Sequence, residues 1–493
     1  MSAAASFVAF APDDVPDAVP DPETLGAKGA SLVAMTRLGL PVPPGFVVPV
    51  LAAQDEGRRE RALRDGLAWL RERTAGPVVS VRSGASLSMP GMMDTILNIG
   101  ARGGPTPFER DCRRRFLQGW GAQVRGLPRA TFDEAAEDSR NASALMAHLE
   151  ALVPDVPDDL DTLVAEAARA VAASWDSERA RAYRQMTGME GAGTAIVVQT
   201  MVYGNRDERS ATGVMNTRDP RDGTPRPSGE YLARAQGEDV VSGFVTPLAL
   251  TEEDKERIAS REPSFEALFA DAFDELIAAG RTLEKHWKDA QEIEFTLDSG
   301  RLFLLQSRPA KRDAEAGFRI AVDLVREGVI DEREAVRRTR PQEAASRLTS
   351  ELAPDAEADI IARGLPASGG AAAGRVALTS EEAEGMEGPC VLVRPETDPN
   401  DVAGMNAAVA VLTARGGNAS HAASVARALG RPCITGAGSL EIGATGFASL
   451  GRQVQRGDWI TIDGTRGVVH AGKLPLKRRE PSPALGTLLE WGR

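Results

Sequence analysis

His421 sits in the part of this sequence that speaks most directly of chemistry. It lies within Val409-Ala-Val-Leu-Thr-Ala-Arg-Gly-Gly-Asn-Ala-Ser-His-Ala-Ala-Ser-Val-Ala-Arg-Ala-Leu-Gly430. An apolar strand is expected to end at Thr413, and a loop with the glycine pair Gly416 and Gly417 follows. His421 then opens a helix of strong formers, which Gly430 closes ahead of Pro432. Ser420 stands where a helix cap is needed. Such a setting suits a phosphorylated imidazole. The free N–H groups and positive dipole end of a helix favour an anion, paired glycines let backbone approach it closely, and Arg415 is placed to clamp its oxygens. An imidazole nitrogen is nucleophilic near neutral pH and splits one difficult transfer into two. An ordinary histidine at a helix start is the other reading of this segment taken alone. Of the remaining histidines, His148 reads as a surface residue of a helix, His286 as structural, and His470 as lacking an evident partner.

Further phosphate-binding candidates lie near the N-terminus. Gly26-Ala-Lys28-Gly-Ala-Ser31 puts a lysine in a glycine-rich turn, which alone is a weak signal and is not a Walker A sequence. Arg82 follows a strand and precedes the Ser/Gly loop of Ser80-Val-Arg-Ser-Gly-Ala-Ser-Leu-Ser-Met-Pro-Gly91-Met-Met93-Asp-Thr95. A loop of that kind can close over phosphates while the guanidinium makes paired contacts; a surface loop with an ion-paired arginine is the alternative. Two apolar runs, Ile293–Leu297 and Leu302–Ser307, flank Asp298-Ser299-Gly300 and predict a hairpin. Glu292 and Glu294 share one face by the two-residue strand period, and Gln306 and Arg308 share a face of the partner run. Oxygen ligands beside an arginine suit Mg²⁺-ATP, since Mg²⁺ takes one or two protein oxygens plus phosphate oxygens and water. A solvated polar pair is the other reading.

The elements that must carry these residues can be outlined from pattern. Residues 21–100 alternate glycine-rich turns with short apolar strands, and Pro41-Val-Pro-Pro-Gly45 is a stiff turn ahead of Phe46-Val-Val48. Residues 110–190 predict helices broken at Pro128, Pro154 and Pro157. Strands and turns return over 194–250, and a helix is expected over 264–289. Residues 313–360 read as a charged helical connector. The Gly/Ala-rich stretch 364–374 reads as a hinge. Beyond it, strands at 391–394, 408–413 and 459–462 with the His421 helix predict a compact α/β unit, followed by a polar tail from 477.

Bulk properties exclude several classes. The chain carries 71 acidic against 58 basic residues, net −13, which disfavours generic binding to nucleic acid or anionic membrane. Three scattered cysteines give neither a zinc pattern nor a disulfide framework. No apolar stretch approaches a membrane span. Met1–Pro20 has three aspartates and no Lys or Arg, unlike a signal peptide, so a cytoplasmic location is expected.

The His421 segment resembles the phosphohistidine signature of the PEP-utilising enzymes through Arg415, Gly416, Gly417, Ser420, His421, Ala422, Ala423, Val425-Ala-Arg427 and Gly430. Ala419 departs from the Thr common two residues before the histidine, where plant-type members are regulated by phosphorylation; that control is expected to be absent. The Arg82–Asp94 loop, Val198–Val202, Gly229–Leu232, Ala235–Asp239 and Gln306–Arg308 together resemble the nucleotide domain of the pyruvate phosphate dikinase family, so that the likeness covers residues 21–475.

That resemblance implies a fold, a site and an activity. The fold would be α/β and α+β multidomain: an ATP-grasp nucleotide domain over 1–312 with a helical insert near 110–190, a helical connector over 313–360, a swivelling phosphohistidine β/α domain over 361–475, and a tail over 476–493. Lys28, Arg82, Arg115 and Arg308 would bind ATP phosphates. Gly91, Met93, Glu230, Glu238 and Asp239 would line the nucleotide site, with Met201 and Val202 near adenine. Glu294 and Gln306 would hold Mg²⁺, and His421, Arg82 and Arg308 would be catalytic. The activity would be AMP-forming phosphotransfer from ATP to His421. Inorganic phosphate or water would be the second acceptor from ATP, a choice left open together with oligomeric state. The final acceptor would be a small molecule or a separate PEP/pyruvate-binding barrel, because the family's C-terminal barrel is not expected within the 493 residues and Leu488–Arg493 resembles only the start of the connector to it. A non-catalytic nucleotide-binding regulator or partner of a full-length dikinase is the alternative. The histidine unit is expected to be tethered, with His421 held apart from Arg82 and Glu294. The stretch from Phe116 to Trp175 is shorter than in typical members, which puts part of the nucleotide lid in doubt.

Overall fold

The computed structural model describes residues 6–18, 20–86, 92–187, 191, 193–241, 245–258, 260–346, 350–353, 359–478, 480 and 482–493. These form two compact units, one of residues 1–206 with 303–308 and one of 207–302 with 309–493.

The first unit is built on an antiparallel sheet of β1 (Val8–Phe10), β2 (Gly45–Val48), β3 (Val79–Gly84), β4 (Thr95–Ile99) and β5 (Ala195–Thr200), in the order β1-β2-β5-β3-β4. Both β2 and β5 are buried along their whole length, which accounts for the apolar runs Phe46–Val48 and Ala195–Val198. The expected break at Pro128 falls between helices Pro107–Gln123 and Arg129–Glu137, and those at Pro154 and Pro157 between Ala142–Leu152 and Leu160–Ala173; the break at 138–141, before the cap Asn141, contains no proline. Phe46, Leu67, Phe116, Trp120 and Val164 meet in one core between helices and sheet.

The second unit contains β6 (Ala211–Asn216), β7 (Ser228–Ala233), β8 (Leu248–Ala249) and β9 (Gln291–Asp298), antiparallel in the order β9-β6-β7-β8. The turn Asp298–Gly300 has Ser299 and Gly300 at positive φ and leads into β10 (Arg301–Pro309). The helix expected over 264–289 is Ala270–Trp287, preceded by the short Phe265–Leu268.

Helices Ala314–Arg326, Glu332–Thr339 and Pro341–Ser346 follow within the charged stretch, and the strand Ser350–Leu352 comes after them. The polar-tail reading fails for the C-terminus. Pro483–Trp491 is a helix, capped by Ser482, whose Leu485 and Leu488 are fully buried against Phe318, Val322 and Ala335.

Two short strands, β11 (Ser350–Leu352) and β23 (Leu476–Arg478), pair antiparallel at the entry to and exit from the region between them. Lys477 and Glu351 form an ion pair there at 2.8 Å. Between them lies an eight-stranded sheet of β12 (Ile360–Arg363), β13 (Leu365–Ser368), β14 (Ala371–Ala377), β15 (Cys390–Arg394), β16 (Ala410–Thr413), β17 (Cys433–Thr435), β21 (Trp459–Asp463) and β22 (Val468–Ala471), in the order β12-β22-β21-β14-β15-β16-β17-β13. The strands β14 to β17 run parallel. A small sheet of β18 (Glu441–Ile442), β19 (Gly446–Ser449) and β20 (Arg452–Gln455) is appended.

The Gly/Ala-rich stretch is therefore not a hinge. Residues 365–368 and 371–377 are strands β13 and β14, inside this sheet. Small residues serve there for close approach: a Cβ on Gly374 would lie 2.8 Å from the Cys390 backbone.

Candidate functional site

β16 ends at Thr413, and the loop after it turns at Gly416, whose φ is +98°. The His421–Leu429 helix begins at Ser420, which caps it by accepting the Ala423 N–H, and ends at Gly430 in the left-handed conformation. The expected strand–loop–helix is thus present. Arg427, on the helix, donates to the carbonyls of Asn418 at 2.6 Å and Ala367 at 2.7 Å, which fixes the loop to its own helix. The guanidinium of Arg415 is half-exposed and paired with Glu396 at 2.8 Å.

His421 is buried, at 9% exposure. Its Nδ1 lies 3.0 Å from Thr397 Oγ1. Among the described residues, Nε2 has no hydrogen-bond partner. Burial pushes the ring's pKa down from 6.5 to about 4; Asp398 opposes that shift and Lys311 adds to it. The imidazole is therefore neutral at pH 7. When Nδ1–H donates to Thr397, the lone pair falls on Nε2, the unpartnered nitrogen.

Thr397, Asp398 and Lys311 were not singled out from sequence, and Arg427 entered only as part of the signature, without a role. A topological signal for the first two did exist. β15 and β16 are parallel neighbours, and loops leaving the carboxyl ends of such strands converge. The 394–398 turn therefore lies against the His421 loop, with the Arg415 N–H on the Pro395 carbonyl.

Two sequence-assigned carboxylates share a sheet face with one another. Val214 of β6 pairs with Glu230 on β7 and with Glu294 on β9. Paired residues on adjacent strands project to the same side. Glu230 and Glu294 are thus two strand spacings apart, about 10 Å. Glu230 reaches the His421 loop. Its carboxylate accepts the Asn418 N–H at 2.5 Å and the Ala419 N–H at 3.0 Å. Burial pushes its pKa up, against the lowering effect of those two N–H groups and of Arg427. The His421 loop is thus bonded to the sheet that carries Glu294, through Glu230. On that sheet's helix Gly237–Val241, Glu238 is exposed, and Asp239 accepts the Gln236 N–H at 2.9 Å.

The first unit gathers other predicted residues. The helix Pro22–Arg37 is kinked at Gly26, whose φ is +69°. A Cβ there would fall 1.8 Å from the Gly84 carbonyl oxygen, so only glycine fits, and the Ala27 N–H donates to Ala85. This sets half-buried Lys28 beside the end of β3. Arg82 of β3 is buried and donates to Gln199 Oε1 and, at 3.3 Å, to the Leu305 carbonyl. Ser31 exchanges hydrogen bonds with the Ser307 backbone at 2.8 and 3.1 Å, fastening the helix of Lys28 to the segment that holds Gln306 and Arg308. Arg115 pairs with Asp111 at 2.9 Å, and Asn205 binds the same carboxylate, close in sequence to half-buried Met201 and Val202. Met93 touches Ser174 through its sulfur. Gly91 lies outside the described residues. The structure thus collects Lys28, Arg82, Gln306 and Arg308 in the first unit, and Glu230, Glu294 and His421 in the second.

Residues 57–263 and 248–327 match the pyruvate phosphate dikinase AMP/ATP-binding domain, and 386–467 match the mobile domain of PEP-utilising enzymes. The chain belongs to the pyruvate phosphate dikinase family. Within this family it is 40% identical to a pyruvate, phosphate dikinase of Rhizobium meliloti (strain 1021), matched over 96% of the chain and 58% of that protein. It is 39% identical to pyruvate, phosphate dikinase 2 of Zea mays, over 95% and 58%, and 38% identical to chloroplastic pyruvate, phosphate dikinase 1 of Arabidopsis thaliana, over 95% and 53%. The chain spans little more than half the length of these curated relatives. No helix among the described residues is long and apolar enough to cross a membrane.

Proposed function

We propose that this chain is an ATP-dependent phosphotransferase that charges His421. The observation that carries the reading is the state of the ring: buried, neutral, held through Nδ1 by Thr397, with Nε2 unpartnered among the described residues. In the step proposed, the Nε2 lone pair attacks a phosphorus of ATP. A P–N bond forms as the P–O bond to the departing part of the nucleotide breaks. Nδ1 keeps its proton, and no base is needed at the attacking atom. The AMP-forming course is the one the family resemblance implies.

Arg82 and Arg308 are assigned to the charge that develops on the transferred group, and Lys28 and Arg115 to ATP phosphates. Glu294 and Gln306 are assigned to Mg²⁺: a half-buried carboxylate and a buried amide offer the hard oxygen donors that this ion takes. Bound there, the ion would neutralise phosphate charge. Met93, Met201, Val202, Glu238 and Asp239 are assigned to the nucleotide's surroundings. The nucleotide region is read as an ATP-grasp fold and the His421 region as a swivelling carrier that passes phosphate to an acceptor bound elsewhere. An imidazole that is neutral at pH 7, with Nε2 unpartnered among the described residues, favours catalysis over the regulatory alternative. Incubation with β- and γ-labelled ATP tests the reading. Protein-bound label that requires His421 is expected; label persisting in His421→Ala would overturn it.

A further inference from the structure

The family resemblance puts Glu230 on the wall of the nucleotide site, yet the structure gives its carboxylate another occupation. Both oxygens are engaged by consecutive backbone N–H groups of the His421 loop, at 2.5 Å from Asn418 and 3.0 Å from Ala419. Glu230 is almost fully buried, at 6% exposure. A buried carboxylate requires partners of this kind, and backbone N–H groups are strong ones because the bonds are charge-assisted. The other side of the same peptide is fixed as well, since Arg427 donates to the Asn418 carbonyl. The loop's sequence is fitted to this contact. A Cβ on Gly417 would lie 2.3 Å from Glu230 Oε2 and 2.5 Å from Pro247 Cγ, so any larger residue would wedge the loop off the sheet.

We propose that Glu230 is a positioning residue that docks the His421 loop on the face of the sheet bearing Glu294, and that it does not bind nucleotide phosphate. A carboxylate with both oxygens spent on N–H groups has nothing to offer a polyphosphate except repulsion. Docking through backbone N–H groups fixes where the loop sits without touching the imidazole, so that His421 remains free to react. The proposal rests on the phosphotransfer reading for its kinetic consequence but not for its structural one.

The test uses Glu230→Gln and Gly417→Ala in the full chain. The first removes the charge and one acceptor, and the second keeps the carboxylate but blocks its approach. Amide hydrogen exchange at Asn418 and Ala419, measured without nucleotide, should accelerate about tenfold or more in both. ATP affinity should stay within about twofold, and the maximal rate of His421 phosphorylation should fall about tenfold at unchanged KM for ATP. Gly417→Ala carries the test if Glu230→Gln fails to fold. Unaltered exchange in a folded variant would overturn the proposal, as would a loss of ATP affinity without faster exchange. Because exchange is read before any ATP is added, its result stands even if His421 takes no phosphate.

Discussion

Thr397 Oγ1, on the loop after β15, and His421 Nδ1, at the start of the helix that follows the loop after β16, lie 3.0 Å apart. When that hydroxyl accepts from Nδ1–H, the proton sits on Nδ1 and the lone pair on Nε2. Thr397→Val keeps the shape and removes the acceptor. It should slow His421 phosphorylation about tenfold, the size of one lost hydrogen bond at a buried ring. Thr397→Ser should restore most of the rate. ¹⁵N chemical shifts of the His421 ring report the tautomer directly, and equal shifts in wild type and the valine variant would refute this role.

His421 should also alter the pH dependence of both rate and stability. Its folded value, about 4, lies below its ordinary 6.5 because burial disfavours the cation. A depressed histidine contributes stability that is fully present above 6.5 and is lost as pH falls from there toward 4, since the unfolded chain then binds the proton first. Wild type should therefore lose more stability than His421→Asn between those pH values. An NMR titration of the ring near 6.5 would contradict the assignment.

Local signals made the surroundings of His421 legible. Ser420 caps, Gly430 terminates and the glycine pair turns the chain, and each acts within a few residues. The turn at Asp298–Gly300 and the proline breaks of the helical insert were legible for the same reason. Contacts between distant segments were not. Thr397 meets His421 only because β15 lies beside β16. Glu230 meets Asn418 across 188 residues of sequence. The Gly/Ala run at 364–374 has no alternation of its own, and β13 and β14 are held as strands by β15, β17 and β21. The C-terminal helix was hidden by charge and proline at 477–483, while two leucines supply its anchoring.

Those leucines give a stability prediction. Leu488 is fully buried against helix Ala314–Arg326 and its neighbours. Leu488→Ala should destabilise the second unit by about 2–4 kcal/mol. Chemical denaturation read by a second-unit probe would show it. A change under about 0.5 kcal/mol would mean that the segment is the solvated tail its composition suggests.

The nucleotide assignments separate by kinetics. Glu294→Ala and Gln306→Ala should raise the Mg²⁺ and ATP concentrations needed for phosphorylation. Arg308→Ala should lower the rate about a hundredfold with a smaller effect on binding, as its proposed role on charge developing in the transition state requires. Arg82→Ala should do the same and also lower stability by about 1–3 kcal/mol, since its guanidinium bonds Gln199 and Leu305 inside the first unit. Titrations of ATP and Mg²⁺ against initial rate distinguish the two groups, and four unchanged profiles would mean that the site lies elsewhere.

The central claim is that ATP phosphorylates His421, and intact mass after incubation with Mg²⁺-ATP measures it most directly. The wild-type chain should gain the mass of a phosphoryl adduct that acid removes and base does not, and peptide mapping should place it on His421. His421→Ala should gain nothing, while Thr397→Val should gain the same adduct more slowly. No adduct on the wild-type chain, or an acid-stable one on another residue, would contradict the account.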